Sequence, residues 1–240
     1  MIDHERPQAV FIHGAGAGGW EWTIWQRVFD ALGWSVLAPD LAPADDGIGA
    51  TRIEDYAGQV AAWCDASKTP ALLVGASLGG LLALIVATRV QPTALVLVNP
   101  VAPAGIEPRP ARRDYPDLVP WGSRRSLRST QRALPDGDDA ARLFAFRRWR
   151  DESGALLGDA CAGIAVEAPR RPVLVLASEH DDECPASVSA ALAVHLRADF
   201  RLLHGASHLG PLLGRDAATI AEDTWRWCAG RVAFVRGKAR

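Results

Sequence analysis

The sequence has few cysteines and no long hydrophobic run. Its four cysteines lie far apart, and no two of them form a C-x-x-C pair; they are Cys64, Cys161, Cys184 and Cys228. This spacing excludes a disulfide-stapled domain and a zinc site built from cysteine pairs. No apolar stretch approaches the roughly 20 residues that a membrane-spanning helix needs, so we expect no membrane partner.

The chain also carries little net charge. There are 26 basic and 28 acidic residues, a formal net charge of −2 at pH 7, which argues against a nucleic-acid partner because such proteins present a strongly basic surface. Apolar residues make up 49% of the chain, too many for an intrinsically disordered protein. The first seven residues include acidic side chains and no apolar run, unlike a secretory signal. We therefore expect one globular domain in the cytoplasm.

Short apolar runs alternate with helical segments along most of the chain. Runs rich in Val and Leu predict strands buried on both faces; they span residues 8–13, 34–39, 71–75, 94–98, 172–177 and 200–204. Apolar spacing near 3.6 predicts helices, over residues 20–32, 51–67, 78–90, 186–196 and 217–229. Thr51 and Glu54 suggest a capping box at the start of the second helix. This alternation predicts an α/β fold, with a predominantly parallel sheet and helices on both faces.

Residues 101–168 interrupt the alternation. They show no strand pattern, and several prolines oppose helix formation in their first part. Helical patterns follow over residues 123–134 and 138–150, the second with Asp138 as its N-cap. We therefore predict a helical insertion at 101–168. The predicted core consists of residues 1–100 and 169–240.

The insertion is rich in arginine. Eleven arginines and five aspartates lie between Arg109 and Arg150. We interpret this cluster as a solvated basic face, since the chain uses arginine for nearly all of its basic residues. The alternative is a cationic site for an acidic or coenzyme-A-linked substrate.

A G-x-S-x-G pentapeptide, Gly75-Ala76-Ser77-Leu78-Gly79, lies between a predicted strand and a predicted buried helix. A sharp turn at this junction projects the serine hydroxyl above the sheet, and the two outer glycines let neighbouring backbone pass closely. The Leu78 N–H and the helix dipole are then placed to stabilise an oxyanion. The pentapeptide indicates a nucleophilic Ser77; the alternative is a structural turn serine.

Two loops at the carboxyl ends of later strands offer the base and the acid that a serine nucleophile requires. His208 follows the last predicted strand and is the best placed of six histidines. Asp181 follows the fifth strand, which gives the chain order Ser–Asp–His. Asp182 is an adjacent alternative and Glu179 a weaker one. Helix capping by Asp181 and a structural loop role for His208 are the other interpretations.

A glycine-rich turn follows the first predicted strand. Its small residues let backbone N–H groups approach a substrate oxygen, and we assign the second oxyanion donor to Ala15. We interpret His13, at the end of the strand, as a structural residue packed beneath the turn.

The same turn also fits a dinucleotide-binding pattern. Gly14, Gly16 and Gly19 spell G-x-G-x-x-G, and Asp40 lies 21 residues after the last of them, where such proteins place an acid on the ribose. The bulky Trp20, directly after the third glycine, opposes this interpretation. The dinucleotide interpretation also gives no role to Ser77, Asp181 and His208.

Together these motifs resemble the α/β-hydrolase fold family over almost the whole chain outside the insertion. They are His13-Gly14-Ala15-Gly16, Gly75-Ala76-Ser77-Leu78-Gly79, Asp181 four residues before Pro185, and Gly205-Ala206-Ser207-His208. The resemblance implies a serine nucleophile, a histidine base, an orienting aspartate, a backbone oxyanion hole and a helical cap at 101–168. Two departures follow: the first two strands of the family are missing, which leaves six, and the loop after Asp40 lacks the usual compact turn.

The sequence thus predicts a serine hydrolase that cleaves a carboxylic ester, or a similar acyl bond, of a small molecule without a cofactor or metal ion. Large cap side chains are candidates to line the substrate pocket: Trp121, Phe144, Phe146 and Trp149. The alternatives from other classes are a non-catalytic binding protein built on a hydrolase framework and a dinucleotide-binding protein.

Overall fold

The computed structural model describes residues 6–67, 70–108 and 113–238 of the chain. The first five residues lie outside the described residues, as does the segment 109–112, which includes Arg109 of the predicted arginine cluster.

Six parallel strands form the central sheet. They are β1 (Gln8–Ile12), β2 (Ser35–Leu37), β3 (Leu72–Ala76), β4 (Ala94–Val98), β7 (Val173–His180) and β8 (Asp199–Ser207). Across the sheet their order is β2-β1-β3-β4-β7-β8. The predicted α/β fold and the six-stranded parallel sheet are confirmed. Because all six strands run in the same direction, their carboxyl ends meet at one edge of the sheet, and this edge carries the candidate site.

Helices cover both faces of the sheet. They are α1 (Thr23–Ala31), α2 (Ile53–Ala66), α3 (Leu78–Val90), α7 (Ala186–Leu196), α8 (Gly210–Leu213) and α9 (Ala217–Lys238). Alternate residues of β1 enter two different cores: Val10 and Ile12 pack with α2, α3 and α7, whereas Ala9 and Phe11 pack with α1 and α9. Burial on both faces explains why the four inner strands β1, β3, β4 and β7 read as continuous apolar runs. The edge strands β2 and β8 are mostly exposed, so the prediction of burial on both faces is wrong for these two.

The second predicted helix begins later than expected. The Arg52 N–H, just before α2, donates to Asp55 Oδ2 at 2.8 Å, whereas the Thr51 hydroxyl hydrogen-bonds to the preceding loop. The capping box predicted for Thr51 and Glu54 is therefore wrong by one residue, because Thr51 closes the loop instead of capping the helix.

Residues 101–168 leave the sheet after β4 and return to it at β7. They contain α4 (Leu127–Ala133), α5 (Asp139–Phe146) and α6 (Gly154–Ala162). Asp138 Oδ1 accepts the Ala141 N–H at 2.7 Å, which confirms the predicted N-cap. Helix α4 is shorter than predicted, since Ser126 caps it.

The insertion also contains a short antiparallel strand pair, β5 (Leu118–Val119) with β6 (Glu152–Ser153). The expectation of no strand in this segment is wrong, because strands of two residues show no detectable period. None of the helices within the described ranges combines the length and the hydrophobicity needed to cross a bilayer.

Candidate active site

Ser77 occupies the tight turn between β3 and α3. Its backbone has φ 53° and ψ −119°, a strained conformation for a residue with a side chain. Surrounding backbone holds it there: the Ser77 N–H donates to Val98 O at 2.9 Å, and its carbonyl accepts from the N–H groups of Gly80 and Val101, each at 3.0 Å. The turn places Ser77 on the wall of a cavity at the carboxyl edge of the sheet.

The two glycines of the pentapeptide make this turn possible. A Cβ on Gly75 would lie 2.1 Å from the Gly79 carbonyl oxygen, and one on Gly79 would lie 2.2 Å from the Ile12 carbonyl oxygen. Both distances are far inside van der Waals contact, and both neighbours are backbone atoms that cannot move aside. The close approach of strand to helix predicted from the motif is confirmed.

We expect Gly79→Ala to lower the free energy of unfolding by about 3 kcal/mol or more, since the added methyl group overlaps backbone. Gly58→Ala is the matched helical control, because no atom lies within 4 Å of its added Cβ. That change should raise stability by up to about 1 kcal/mol, as alanine is the better helix former. Urea unfolding measures both, and equal stabilities would contradict the packing described for Gly79.

His208 and Asp181 form a hydrogen bond at the carboxyl ends of β8 and β7, with His208 Nδ1 2.7 Å from Asp181 Oδ2. The Asp181 side chain has no exposed surface, and that of His208 is 19% exposed. The other oxygen, Oδ1, accepts the N–H groups of Glu183 and Cys184 at 2.9 and 2.8 Å. Asp181 therefore shapes its own loop and orients the His208 ring at once.

The two alternative acids lie elsewhere. Asp182 is exposed. Glu179 Oε2 accepts the Gly205 N–H at 2.9 Å and lies 3.4 Å from His204 Nδ1. Neither carboxylate is hydrogen-bonded to His208. Of the three candidate acids, Asp181 is the one that the structure places against the histidine.

The environment of His208 favours its protonated form. Burial alone would lower the pKa of His208. The hydrogen bond and charge of Asp181, with a smaller contribution from Glu183, outweigh that effect and raise the pKa above its usual value. The site thus stabilises the imidazolium that a histidine base becomes when it takes a proton.

Asn99 positions the histidine loop, and sequence reasoning gave it no role. Its Nδ2 donates to the His208 carbonyl at 2.8 Å and to Ser178 Oγ at 2.9 Å, while its Oδ1 accepts the Ser178 N–H at 2.7 Å. Asn99 therefore ties the ends of β4 and β7 to the loop after β8. The sequence signal that could have identified Asn99 is a polar residue directly after a buried strand.

Ala15 and Leu78 lie on the two turns that border Ser77. A Cβ on Gly14 would lie 3.3 Å from the Ser77 Cβ, so the glycine-rich turn is in contact with the serine. Within the described ranges, neither the Ala15 N–H nor the Leu78 N–H has a hydrogen-bond acceptor. Both groups are available to an oxygen atom placed beside Ser77.

His13 is buried beneath this turn, as predicted. Its Nδ1 donates to Gly14 O at 2.8 Å, and its Nε2 accepts the Leu41 N–H at 2.8 Å. Burial lowers the pKa of His13 to about 4. The ring is therefore neutral at pH 7 and joins two loops as a structural residue.

Glu21 is a buried carboxyl group that sequence reasoning missed. It is 1% exposed, its Oε1 accepts the Gly14 N–H at 2.8 Å, and it lines the cavity with Ser77 and His208. Burial raises the pKa of Glu21 to about 8, so this group is predominantly protonated at pH 7. The only sequence signal was an acidic residue between two tryptophans of a buried helical turn.

The raised pKa of Glu21 predicts a pH dependence of stability. Between pH 4.5 and about 8 the folded protein keeps a proton that the unfolded chain releases, so the free energy of unfolding falls as the pH rises through this window, by about 4 kcal/mol. Glu21→Gln cannot titrate and should lack this fall. Urea unfolding of both proteins at pH 5 and pH 8 measures the difference; parallel pH profiles would contradict the assignment.

A cavity of about 560 Å³ opens at Ser77. The insertion contributes Trp121, Trp149 and Arg132 to its wall. The structure thus brings two of the four predicted pocket residues to the cavity. Since Arg132 faces it too, the interpretation of the arginine cluster as a purely solvated face does not extend to that residue.

Phe144 and Phe146 are not on the cavity wall, so their assignment to the pocket is corrected. Helix α5 places the Phe144 ring 5.9 Å from that of Trp20 and under the Arg148 guanidinium, 3.9 Å from the ring centre. Phe146 lies under Arg125, at 5.7 Å. Phe144 also packs against the core that lies on the α1 and α9 side of the sheet.

The three glycines of the dinucleotide-binding pattern have their N–H groups occupied. The three N–H groups that would bind a pyrophosphate donate to side-chain carboxyl oxygens instead: Gly14 to Glu21, Gly16 to Glu152 and Gly19 to Asp40, at 2.8, 2.9 and 2.7 Å. Asp40, the proposed ribose ligand of that alternative, closes the turn. The dinucleotide interpretation is therefore wrong.

One group of potential metal ligands occurs in the described part of the chain. The donor atoms of Asp181, Cys184 and His208 lie within 4.8 Å of one another. Asp181 and His208 are already hydrogen-bonded to each other, and burial raises the pKa of the Cys184 thiol. The three side chains therefore lie together as a hydrogen-bonded histidine–aspartate pair with a buried thiol beside it, an arrangement that needs no metal ion.

A serine at a strained strand–helix junction, with an aspartate and a histidine in the loops directly after the last two strands of the same parallel sheet, is the arrangement of α/β hydrolases. The chain belongs to this family: the model of the alpha/beta hydrolase family matches residues 9–222. A comparison with curated proteins finds no match.

Solved structures share the fold at low sequence identity. An extracellular alpha/beta-hydrolase from a Paenibacillus species is 17% identical, with a TM-score of 0.69 over 90% of this chain and 96% of that one. The monoacylglycerol lipase of Paleococcus ferrophilus is 19% identical, with a TM-score of 0.69 over 93% and 94%. A pyrethroid hydrolase from Sphingobium faniae is 19% identical, with a TM-score of 0.70 over 93% and 97%.

Proposed function

We propose that the protein is a serine hydrolase that cleaves a carboxylic ester, or a chemically similar acyl bond, of a small molecule. The observation that carries the proposal is the 2.7 Å hydrogen bond between His208 Nδ1 and Asp181 Oδ2, next to a cavity lined by both Ser77 and His208. Family membership and neighbours named as a lipase and a pyrethroid hydrolase support it.

In the proposed mechanism, Ser77 Oγ attacks the carbonyl carbon while His208 Nε2 takes the hydroxyl proton. The N–H groups of Ala15 and Leu78 bind the oxyanion that develops, and Asp181 stabilises the imidazolium. Collapse of the intermediate releases the alcohol, which takes the proton from His208 and leaves an acyl group on Ser77. Water then attacks this acyl-enzyme, again with His208 as the base.

The cavity wall favours a substrate with an apolar group. Trp121, Trp149, Leu209 and Leu212 contribute apolar surface around the serine, and burial of such surface drives binding in most small-molecule sites. The substrate that fits this wall is an ester with an apolar or aromatic acyl or alcohol part.

We also propose that residues 101–168 act as a cap on a core of residues 1–100 and 169–240. The position of the segment supports the cap: it leaves the sheet after β4, returns to it at the adjacent strand β7, and supplies part of the cavity wall. We further propose a cytoplasmic enzyme that acts on small molecules, because its four cysteines form no disulfide. Its small net charge of −2 supports the proposal that it has neither nucleic-acid nor membrane partners.

Hydrolysis of p-nitrophenyl esters of increasing acyl length, together with acyl-coenzyme A thioesters, tests the function. We expect turnover well above the rate in buffer for at least one short or medium acyl chain, and a burst of p-nitrophenol if deacylation is the slow step. Binding of these esters without any turnover would favour a non-catalytic binding protein instead.

A further inference from the structure

We propose that Glu21 and Glu152 are positioning residues that hold the oxyanion hole in its active shape by binding the two N–H groups on either side of Ala15. The inference rests on the proposed function and deepens it, because it assigns the groups that hold the Ala15 N–H in place.

Three successive N–H groups of the glycine-rich turn have different partners. The Gly14 N–H donates to Glu21 Oε1 at 2.8 Å, and the Gly16 N–H donates to Glu152 Oε2 at 2.9 Å. The Ala15 N–H between them has no acceptor in the described ranges. The outer two groups are fixed and the middle one is left for a substrate oxygen.

Such a turn needs external support. Glycine on both sides of Ala15 gives the backbone wide conformational freedom, and Gly16 has φ +67°, a region that glycine enters readily. An oxyanion donor is effective only if it is held in place before the reaction, so that no reorganisation accompanies charge development. Glu21 and Glu152, which are 1% and 3% exposed, supply this support from outside the turn.

The Glu152 contact joins the turn to the insertion. Glu152 Oε1 accepts the Tyr56 hydroxyl at 3.1 Å and the Ser153 N–H at 2.9 Å, so the carboxylate itself is fixed. The Arg150 N–H donates to the Gly16 carbonyl at 2.8 Å. Residues of the insertion therefore hold both polar backbone groups of Gly16.

The Glu21 contact adds no negative charge at neutral pH. Burial raises the pKa of this carboxyl group to about 8, and the neutral carboxyl group still accepts the Gly14 N–H through its carbonyl oxygen. A neutral acceptor suits its position, since a negative charge on the cavity wall beside Ser77 would oppose formation of the oxyanion.

Two variants of Glu21 test the proposal at pH 7. Glu21→Leu removes the acceptor, and we expect kcat for p-nitrophenyl acetate to fall about 10- to 100-fold, less than the loss of a whole oxyanion donor, with KM changed less than about 3-fold. Glu21→Gln keeps a neutral oxygen in place and should restore kcat to within about 3-fold of wild type. A structural role alone would not separate kcat from KM in this way.

A second pair of variants keeps the test independent of whether Glu21→Leu folds. Tyr56→Phe removes only the hydroxyl that holds Glu152, and we expect kcat to fall about 3- to 10-fold, the equivalent of one hydrogen bond. Tyr115→Phe is the matched control, because the Tyr115 hydroxyl contacts Cys161 Sγ at 3.7 Å and not the turn. Its kcat should equal that of wild type.

The outcomes separate this inference from the proposed function. If wild type hydrolyses the ester but Tyr56→Phe and a folded Glu21→Leu both match its kcat, the positioning role is overturned and the proposed function stands. A loss that appears only in KM overturns it as well. If wild type hydrolyses no ester of the series, both proposals fail.

Discussion

Ser77→Ala is expected to lower kcat for p-nitrophenyl acetate by about 10⁶-fold, the loss seen when the nucleophile of a serine hydrolase is removed. Without Oγ no acyl-enzyme can form, and what remains is the small stabilisation that the oxyanion donors give to direct attack by water. The variant should stay folded, because the turn is held by the backbone hydrogen bonds of Ser77 to Val98, Gly80 and Val101, which alanine retains.

Ser129→Ala is the control for this measurement. Ser129 also lines the cavity but lies on α4, where its hydroxyl donates to Ser126 O at 2.8 Å. Its turnover should stay within about 3-fold of wild type, since a surface capping bond is worth little to the site. More than about 1% residual turnover in Ser77→Ala, with Ser129→Ala unaffected, would contradict the role of Ser77.

Asp181→Asn is expected to lower kcat by about 10⁴-fold with little change in fold. Asp181 Oδ1 accepts two backbone N–H groups, from Glu183 and Cys184, so the amide oxygen of asparagine must take that position. The amide nitrogen then faces His208 Nδ1 and donates to it. This moves the ring proton to Nε2, and His208 can no longer accept the proton of Ser77.

Asp182→Asn separates this mechanism from a general effect of charge. Asp182 is exposed and lines the same cavity, so its substitution removes one negative charge nearby and leaves the His208 tautomer unchanged. We expect its kcat to stay within about 3-fold of wild type, because exposed charges in water interact weakly. Equal losses in the two variants would contradict the orienting role of Asp181.

Much of the fold could be predicted because its signals are local. The six apolar runs fall on the six sheet strands. Burial on both faces demands continuous apolar side chains in the four inner strands, whereas the edge strands β2 and β8 are mostly exposed. Helix α7 has the predicted bounds, Ala186–Leu196. The glycines of the pentapeptide have the steric role expected of them, because their neighbours are the backbone of the same strand–turn–helix unit.

The features that sequence reasoning missed depend on contacts between distant segments. Glu152 lies 136 residues from Gly16, to which it is bonded, and nothing near it in the chain marks it as a partner of that turn. Phe144 and Phe146 resembled pocket residues because they are large and apolar. Their surroundings include residues from other segments, since Phe144 contacts Trp20 and Phe146 lies under Arg125. Helix α6 was missed because Gly154 and Gly158 weaken its local helix signal.

Covalent labelling tests the central claim, a nucleophilic Ser77, most directly. A fluorophosphonate probe reacts with a serine only where a base and an oxyanion hole activate it, and peptide mass analysis locates the adduct. We predict one adduct per chain, on Ser77, that is lost in Ser77→Ala and strongly slowed in Asp181→Asn. A folded wild-type protein that forms no adduct, or forms it on another residue, would contradict the account.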